Sequence, residues 1–357
     1  MEIRSLFLKN FRNYETAEID AFSPGLNVFY GRNAQGKTNI IEAFTYLASG
    51  KSFRTSKDNS AVREGQGEAY ARASFFEKGV NKNIEMLLLR GRKKAFKISG
   101  LPVRKMSELY HALTVVVFSP EDLKIVKESP DLRRRFLDEE ICKIRPSYLD
   151  ALKNFNKILK EKSAALRQAK KDGALVDAYN RQLAALIAVI QKNRESYLLK
   201  LTQIMEDVLG TMELGEKIEF SYRCSLPKEG IEEALLKIKK REMEEGQCLA
   251  GPQRDEVVIR VNGREAKYFA SQGQIRLIML ATKISAVRII EESTGKVPVL
   301  LLDDVFSELD EARKDWTVKN LVGMQTFITT ADEAEAGRIG GKTFRVDAGR
   351  IFSESGN

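Results

Sequence analysis

Val28-Phe29-Tyr30-Gly31-Arg32-Asn33-Ala34-Gln35-Gly36-Lys37-Thr38-Asn39 is the stretch on which the fold turns. It satisfies G-x-x-x-x-G-K-[ST] and stands between a short apolar strand and a helix whose Ile40, Ile41, Phe44, Leu47 and Ala48 share one face. Gly31 and Gly36 permit a tight loop with positive φ, so successive backbone N–H groups can face phosphate oxygens. The loop Gly31, Arg32, Asn33, Ala34, Gln35, Gly36 and the following Lys37, Thr38 and Asn39 are expected to bind a nucleoside triphosphate. Lys37 neutralises the β- and γ-phosphates, Thr38 places its hydroxyl on Mg²⁺, and the helix aims its positive end at the ligand. This predicts an α/β fold.

Far down the chain, Val297-Pro298-Val299-Leu300-Leu301-Leu302 is a continuous apolar run that ends in Asp303-Asp304. Such a run reads as a buried parallel strand, and ligands of open α/β sheets bind at the carboxyl ends of their strands. Asp303 suits Mg²⁺, with Thr38 as its companion ligand, and Asp304 suits the attacking water. Most of the chain lies between the two motifs, which a one-lobe enzyme does not need. Just ahead of the acidic strand, Ser271-Gln272-Gly273-Gln274-Ile275-Arg276 opens a helix with Leu277, Leu280, Ala281, Ile284 and Val287 on its apolar face. Ser271 is an N-cap and Gly273 keeps the first turn bare, so a second helix start is prepared for an anion.

The Ser271 segment resembles the S-G-G-Q signature of ABC-type ATPases, and Ser307-Glu308-Leu309-Asp310 resembles their D-loop. Motif order is that of the SMC-like branch. Leu8-Lys9-Asn10-Phe11-Arg12-Asn13-Tyr14, the loop, Phe118-Ser119-Pro120-Glu121-Asp122-Leu123, Arg133-Arg134-Arg135-Phe136-Leu137-Asp138, Gly251-Pro252-Gln253-Arg254-Asp255 and Asp303-Asp304 together resemble the RecF family of bacterial recombination mediators. The resemblance implies an ABC-type head formed by both chain ends with an inserted α-helical arm, ATP and Mg²⁺ as cofactors, and weak DNA-stimulated ATP hydrolysis. It further implies action on single-stranded and gapped duplex DNA in repair, replication and SOS induction, with a RecR-type mediator as partner and RecA loading as outcome. Arg12 would reach a phosphate, while Ser271, Gly273 and Gln274 would meet the nucleotide of a second subunit, so that ATP joins a head-to-tail homodimer. Arg254 and Asp255 would have a structural role. Two departures stand out: Gln253 replaces a common His, and no His follows Thr326-Phe327-Ile328-Thr329-Thr330, where other ABC enzymes carry a switch. Sensing of the γ-phosphate then falls to amide or hydroxyl groups. Asp304 is also one methylene shorter than the Glu of the general ABC pair, which points to slow hydrolysis.

The chain of 357 residues is long enough for at least two domains, and its 43% hydrophobic content suffices for a core. Lys and Arg exceed Asp and Glu by 59 to 50, an excess that favours sequence-independent attraction to polyanions. Candidate DNA contacts are Arg90, Arg92, Lys93, Lys94 and Lys97 around Gly91, the Arg133–Arg135 run, and Lys237, Lys239, Lys240 and Arg241. Cys142, Cys224 and Cys248 lack paired spacing and read as thiols of a reducing compartment, and His111 lacks partners for a metal site. No run of about 18 apolar residues is present, and the chain opens directly on the strand of Ile3, Leu6 and Leu8, so a cytoplasmic location is expected. Short strands over 1–120 predict the first ATPase lobe; helical periodicity over 121–245 predicts the arm, an antiparallel hairpin with its tip at Gln168–Gly173; 246–357 predicts the second lobe, with a strand at Val257–Val261. A transporter-type ATPase subunit and a chromosome-organising SMC-like head are the alternatives; the short helical insert and the lack of a membrane-docking stretch disfavour them.

Overall fold

The computed structural model describes residues 1–55, 57–168, 172–210 and 216–354, and all side chains among them except those of residues 308 and 354. They form two compact units, Met1–Leu123 with Arg276–Asn357, and Lys124–Ile275.

In the first unit one sheet runs in the order Arg350–Glu354, Lys342–Asp347, Leu26–Tyr30, Thr326–Thr330, Val299–Asp303, Val115–Phe118. All neighbours are parallel except the edge hairpin made by the first two of these. Thr326–Thr330 and Val299–Asp303 are buried at every position, as parallel strands covered on both faces must be. A second sheet is wholly antiparallel and joins Tyr14–Ile19, Glu2–Phe11, Glu68–Glu77, Val80–Leu89, Ala95–Ile98 and Leu101–Pro102. Between the sheets lies the helix Lys37–Ser49, stopped by Gly50 in the left-handed region at φ +70°. One core therefore unites Leu6, Leu8 and Phe75, then Ile40, Phe44 and Leu47, then Phe29, Leu301 and Phe327. Phe22 closes it, edge-on to Phe327 with ring centres 4.9 Å apart. A buried carboxamide fixes the layers: Gln325 accepts from the N–H of Ile3 at 2.6 Å and donates to the carbonyls of Ile3 and Ser23 at 2.8 and 2.9 Å.

The second unit is led by the helices Pro130–Ile144, Pro146–Leu166 and Gly173–Gly210. The last two run antiparallel, since Arg145 reaches Asn193 while Leu166 packs on Val176. Of the apolar stripe that the helical period predicts, Tyr148, Phe155, Leu166, Leu183, Ile187, Ile190, Tyr197, Leu201, Ile204 and Val208 are buried, while Leu152 and Leu159 are half-buried. Within the expected tip, 169–171 lie outside the described residues. The strand Glu256–Val261 does not join the sheet of the first unit. It pairs antiparallel with Ile218–Arg223, and the chain rejoins the first unit at Arg276 rather than near residue 246. Alternation cannot distinguish the two, because it reports which face is buried and not which strand is the neighbour.

Inside this unit Lys162 and Glu242 form a 2.6 Å ion pair with side chains 1% and 0% exposed, and Glu242 also accepts from the N–H of Leu249 at 2.9 Å. Breaking a buried pair leaves one charge uncompensated. Lys162→Met should lower the unfolding free energy by about 3–5 kcal/mol in urea titration. Adding Glu242→Leu should recover much of that loss, short of the bond to Leu249.

Candidate nucleotide site

At the end of Leu26–Tyr30 the chain turns at Gly31, φ +145°, so close to the edge hairpin that a Cβ would stand 2.2 Å from the carbonyl oxygen of Val346. At Gly36, φ +122°, a Cβ would meet only side-chain ends, the Tyr14 hydroxyl at 2.7 Å and the Asn13 carboxamide at 2.8 Å. Gly31 is thus required by space as well as by φ, and Gly36 by φ. Lys37 follows, largely buried, and its Nζ donates to the carbonyls of Gly31 and Arg32 at 2.5 and 2.9 Å. The ammonium spans the mouth of the loop. Burial pushes its pKa down, while Asp304 and then Asp303 pull it up.

Sheet order brings the second motif to the first. Val299–Asp303 lies one strand away from Leu26–Tyr30, with Thr326–Thr330 between them. Asp303 Oδ1 accepts from Thr38 Oγ1 at 2.9 Å and from Thr329 Oγ1 at 2.7 Å. Burial pushes the Asp303 carboxyl up; the Thr329 and Thr38 hydroxyls oppose that. Asp304 adopts φ +51°, and its N–H donates to Thr329 Oγ1 at 2.9 Å and to the Thr329 carbonyl at 3.2 Å. Lys37, Thr38, Asp303 and Asp304 therefore share one place. Thr38 and Asp303 present adjacent hard oxygens, the donor type Mg²⁺ prefers. Among the described residues there is no cluster of three or more His, Cys, Asp or Glu that could hold a metal. Such a pair fits a Mg²⁺ completed by phosphate oxygens and water.

Arg12 differs from expectation. Its guanidinium forks onto the fully buried Glu42, Nε at 2.8 Å and Nη2 at 2.5 Å, while Nη1 donates to the Ser60 carbonyl at 2.6 Å. Ser52 Oγ adds a bond to Glu42 at 2.5 Å, and Arg54 approaches within 3.6 Å. Arg12 is committed to a carboxylate, because an apolar helix face that buries Glu42 demands a cation there. Beside the loop opens a polar cleft of about 480 Å³, lined among others by Arg12, Asn13, Asn39, Arg54, Asn59 and Ser60. Gln35 turns to the chain's far end, its Oε1 accepting from the N–H of Ala348 at 2.6 Å.

Ser271 caps the helix Gln272–Thr294 as expected, and with Gln274 it completes a capping box. Ser271 Oγ accepts from the Gln274 N–H at 3.2 Å, and Gln274 Oε1 accepts from the Ser271 N–H at 2.9 Å. Gln274 Nε2 also donates to Glu216 at 2.9 Å. A hydroxyl that accepts still has its own proton to donate.

The basic clusters divide into paired and exposed cations. Arg133 is buried and donates to the carbonyls of Ile125 and Glu128; Arg134 bonds Asp131 and the Asp255 carbonyl. Of that run only Arg135 is exposed. Arg90 holds the carbonyls of Gln66, Val62 and Arg63, Lys94 pairs with Asp58, and Lys239 with Asp177, while Arg92, Lys93, Lys97, Lys237 and Lys240 are exposed. Asp255 accepts from Tyr222 and from both the N–H and hydroxyl of Ser225, a structural role. Cys142 and Cys248 are buried and Cys224 half-buried, and no disulfide joins them. Sequence reasoning missed Thr329, Glu42 and Tyr14 as parts of the site. The signals were a threonine one place before the end of a strand, and an acid on the buried face of a helix.

With its folded pKa raised above that of the unfolded chain, Asp303 contributes stability that is full below the unfolded pKa and lost as pH rises through the folded one. Asp303→Asn should therefore raise the melting temperature of the ligand-free protein at pH 7, with the gain vanishing near pH 4 and below, by calorimetry across pH. A melting temperature at pH 7 equal to or below that of the parent contradicts this.

Residues 2–346 match the family described as RecF/RecN/SMC N terminal domain. The DNA replication and repair protein RecF of Clostridium acetobutylicum is 40% identical over 361 residues, covering 98% of this chain and 99% of that protein; its Clostridium kluyveri counterpart is 42% identical over 337 residues, 92% of each. A solved structure of the recombination mediator protein RecF with ATP, in the RecFOR pathway, superposes with a TM-score of 0.91 at 33% identity, covering 99% of this chain and 98% of that one. The Smc head domain from Pyrococcus furiosus, at 16% identity and a TM-score of 0.58, shares the fold. With the loop, the acidic strand and the capped helix in that family's arrangement along nearly the whole length, the chain belongs to the RecF family of DNA replication and repair proteins.

Proposed function

We propose that this chain is an ATP-dependent recombination mediator whose dimerisation is governed by nucleotide and whose target is single-stranded or gapped duplex DNA. The observation that supports it most is the meeting of Thr38, Asp303 and Lys37 at one strand edge, in a family with members solved bound to ATP. The loop amides and Lys37 take the phosphates, and the nucleoside extends into the polar cleft beside Asn13 and Asn39. Mg²⁺, held by Thr38 and Asp303, would neutralise charge on the β- and γ-oxygens. Asp304 orients the attacking water, and the Thr329 hydroxyl, bonded to both acidic residues, is the group placed to register its neighbours.

In this reading two copies pair head to tail about a C₂ axis, each ATP lying between Lys37 of one and Ser271 of the other. The γ-phosphate contributes contacts to both, so its loss removes the differential affinity that favours the dimer. Hydrolysis is slow and stimulated by DNA, and it resets the protein after a RecR-type partner has engaged and RecA loading has followed. The exposed Arg92, Lys93 and Lys97 supply sequence-independent, salt-sensitive attraction to DNA.

Light scattering with and without ATP, combined with hydrolysis measured with and without gapped duplex DNA, tests this. ATP should double the mass, and gapped DNA should raise turnover; a monomer at saturating ATP sinks the proposal. Lys37→Arg should bind nucleotide yet lose turnover, since a guanidinium cannot replace the compact ammonium at the mouth of the loop. Ser271→Arg should bind nucleotide with unchanged affinity and remain monomeric.

A further inference from the structure

The cradle depends on peptide groups that point the right way, and one of them is cheap to reverse. In a trans peptide the C=O and the following N–H point in opposite directions, so the direction of the Gln35 carbonyl sets that of the Gly36 N–H. Because Gly36 lacks a Cβ and adopts either sign of φ readily, the glycine that the loop requires is also the residue that lets the Gln35–Gly36 peptide flip. A flipped peptide would present a carbonyl oxygen to the phosphates. The next peptide has no such freedom: the Gly36 carbonyl accepts the first helical bonds, from Asn39 N at 2.9 Å and Ile40 N at 3.3 Å, and a further one from Tyr14 Oη at 3.1 Å.

Restraint on the Gln35–Gly36 peptide comes from outside the motif. Asn13 Nδ2 donates to the Gln35 carbonyl at 2.7 Å, and the Gly349 N–H donates to the same oxygen at 3.2 Å. Ala348 N–H holds the Gln35 side chain at 2.6 Å, from 313 positions away in sequence. The Asn13 amide is itself oriented, because its Oδ1 accepts from Asn39 Nδ2 at 2.8 Å and Asn39 Oδ1 accepts from Arg54 at 3.0 Å. The turn is built to come this close. Gly349 has φ +75°, and a Cβ on it would lie 2.7 Å from the Asn13 carbonyl oxygen.

We infer that Asn13 and the Ala348–Gly349 turn of the C-terminal hairpin are positioning residues for nucleotide binding, holding the Gln35–Gly36 peptide with its N–H toward the phosphates. The inference rests on the nucleotide reading above. It makes the last strand pair of the chain part of the phosphate site without contact to the ligand, and it gives Gln35 the role of an anchor for the loop.

Binding of a fluorescent ATP analogue with Mg²⁺ to the full-length protein, together with the melting temperature of the ligand-free form, tests it. Asn13→Asp keeps the bond from Asn39 but sets a carboxylate oxygen against the Gln35 carbonyl; Asn13→Ala only removes the donor. Dissociation constants should rise in the order parent, Asn13→Ala, Asn13→Asp, the last by about 10-fold or more. Gly349→Ala should also weaken binding, through the displaced turn. Ligand-free melting temperatures of the two Asn13 variants should stay within about 2 °C of the parent. Parental affinity in Asn13→Asp and Gly349→Ala overturns the inference alone, as does a weakening matched in both Asn13 variants by a large fall in melting temperature. A parent protein that binds no nucleotide overturns the reading of the site as well.

Discussion

The hydrogen bond from Thr38 to Asp303 joins residues 265 positions apart, and the site exists only where it forms. Its cause is sheet order. Leu26–Tyr30 and Val299–Asp303 flank Thr326–Thr330, so the loop after one strand and the acid at the end of another emerge on the same edge. The entropy of closing a loop grows only logarithmically with its length, and the intervening residues 124–275 form a compact unit of their own. A long insertion is therefore compatible with a site assembled from both chain ends. Gln325 reinforces the closure, since its carboxamide binds the first strand of the chain to the start of the strand between the two motifs.

Sequence alone disclosed the parts of this arrangement that depend on local chemistry. The loop glycines, Lys37, the acidic pair and the Ser271 cap all stand where spacing placed them, because φ, burial and capping are properties of a few adjacent residues. The helical hairpin was legible for the same reason, its stripe being a period in the chain itself. Pairing partners were not. The strand Glu256–Val261 has the alternation of any half-buried strand, and only its register with Ile218–Arg223 assigns it to the second unit. Gln35, counted among the ligand contacts by its place in the motif, faces Ala348 because the edge hairpin returns to the loop, which no local pattern announces.

Arginines were the least legible residues. A run of three cations reads as a basic surface, yet Arg133 and Arg134 direct their donors at carbonyls and an acid within their own unit. A guanidinium has five N–H donors in a fixed fork, so it can satisfy several carbonyl ends at once and is favoured wherever irregular backbone must be covered. Arg12 follows the same logic with Glu42. A carboxylate with 0% exposure on a helix between two sheets is tolerable only if its charge is matched, and Arg12, with Ser52 and Arg54 beside it, provides the match. Burial, which sequence reports only through periodicity, decides which charges remain for a partner.

Asp304 stands at a backbone position that suits a short acid. Its φ of +51° lies in the left-handed region, where L side chains cost roughly 1–2 kcal/mol and where Asp and Asn are tolerated best because a short polar side chain can bond locally. The N–H of Asp304 is held by both the hydroxyl and the carbonyl of Thr329, so the neighbouring strand fixes the peptide from which the left-handed turn departs. The same hydroxyl donates to the Asp303 carboxylate, which ties that carboxylate and the Asp304 backbone to one threonine. A short acid suits this left-handed position, and the reach of its carboxylate is set by the path of the chain beneath it.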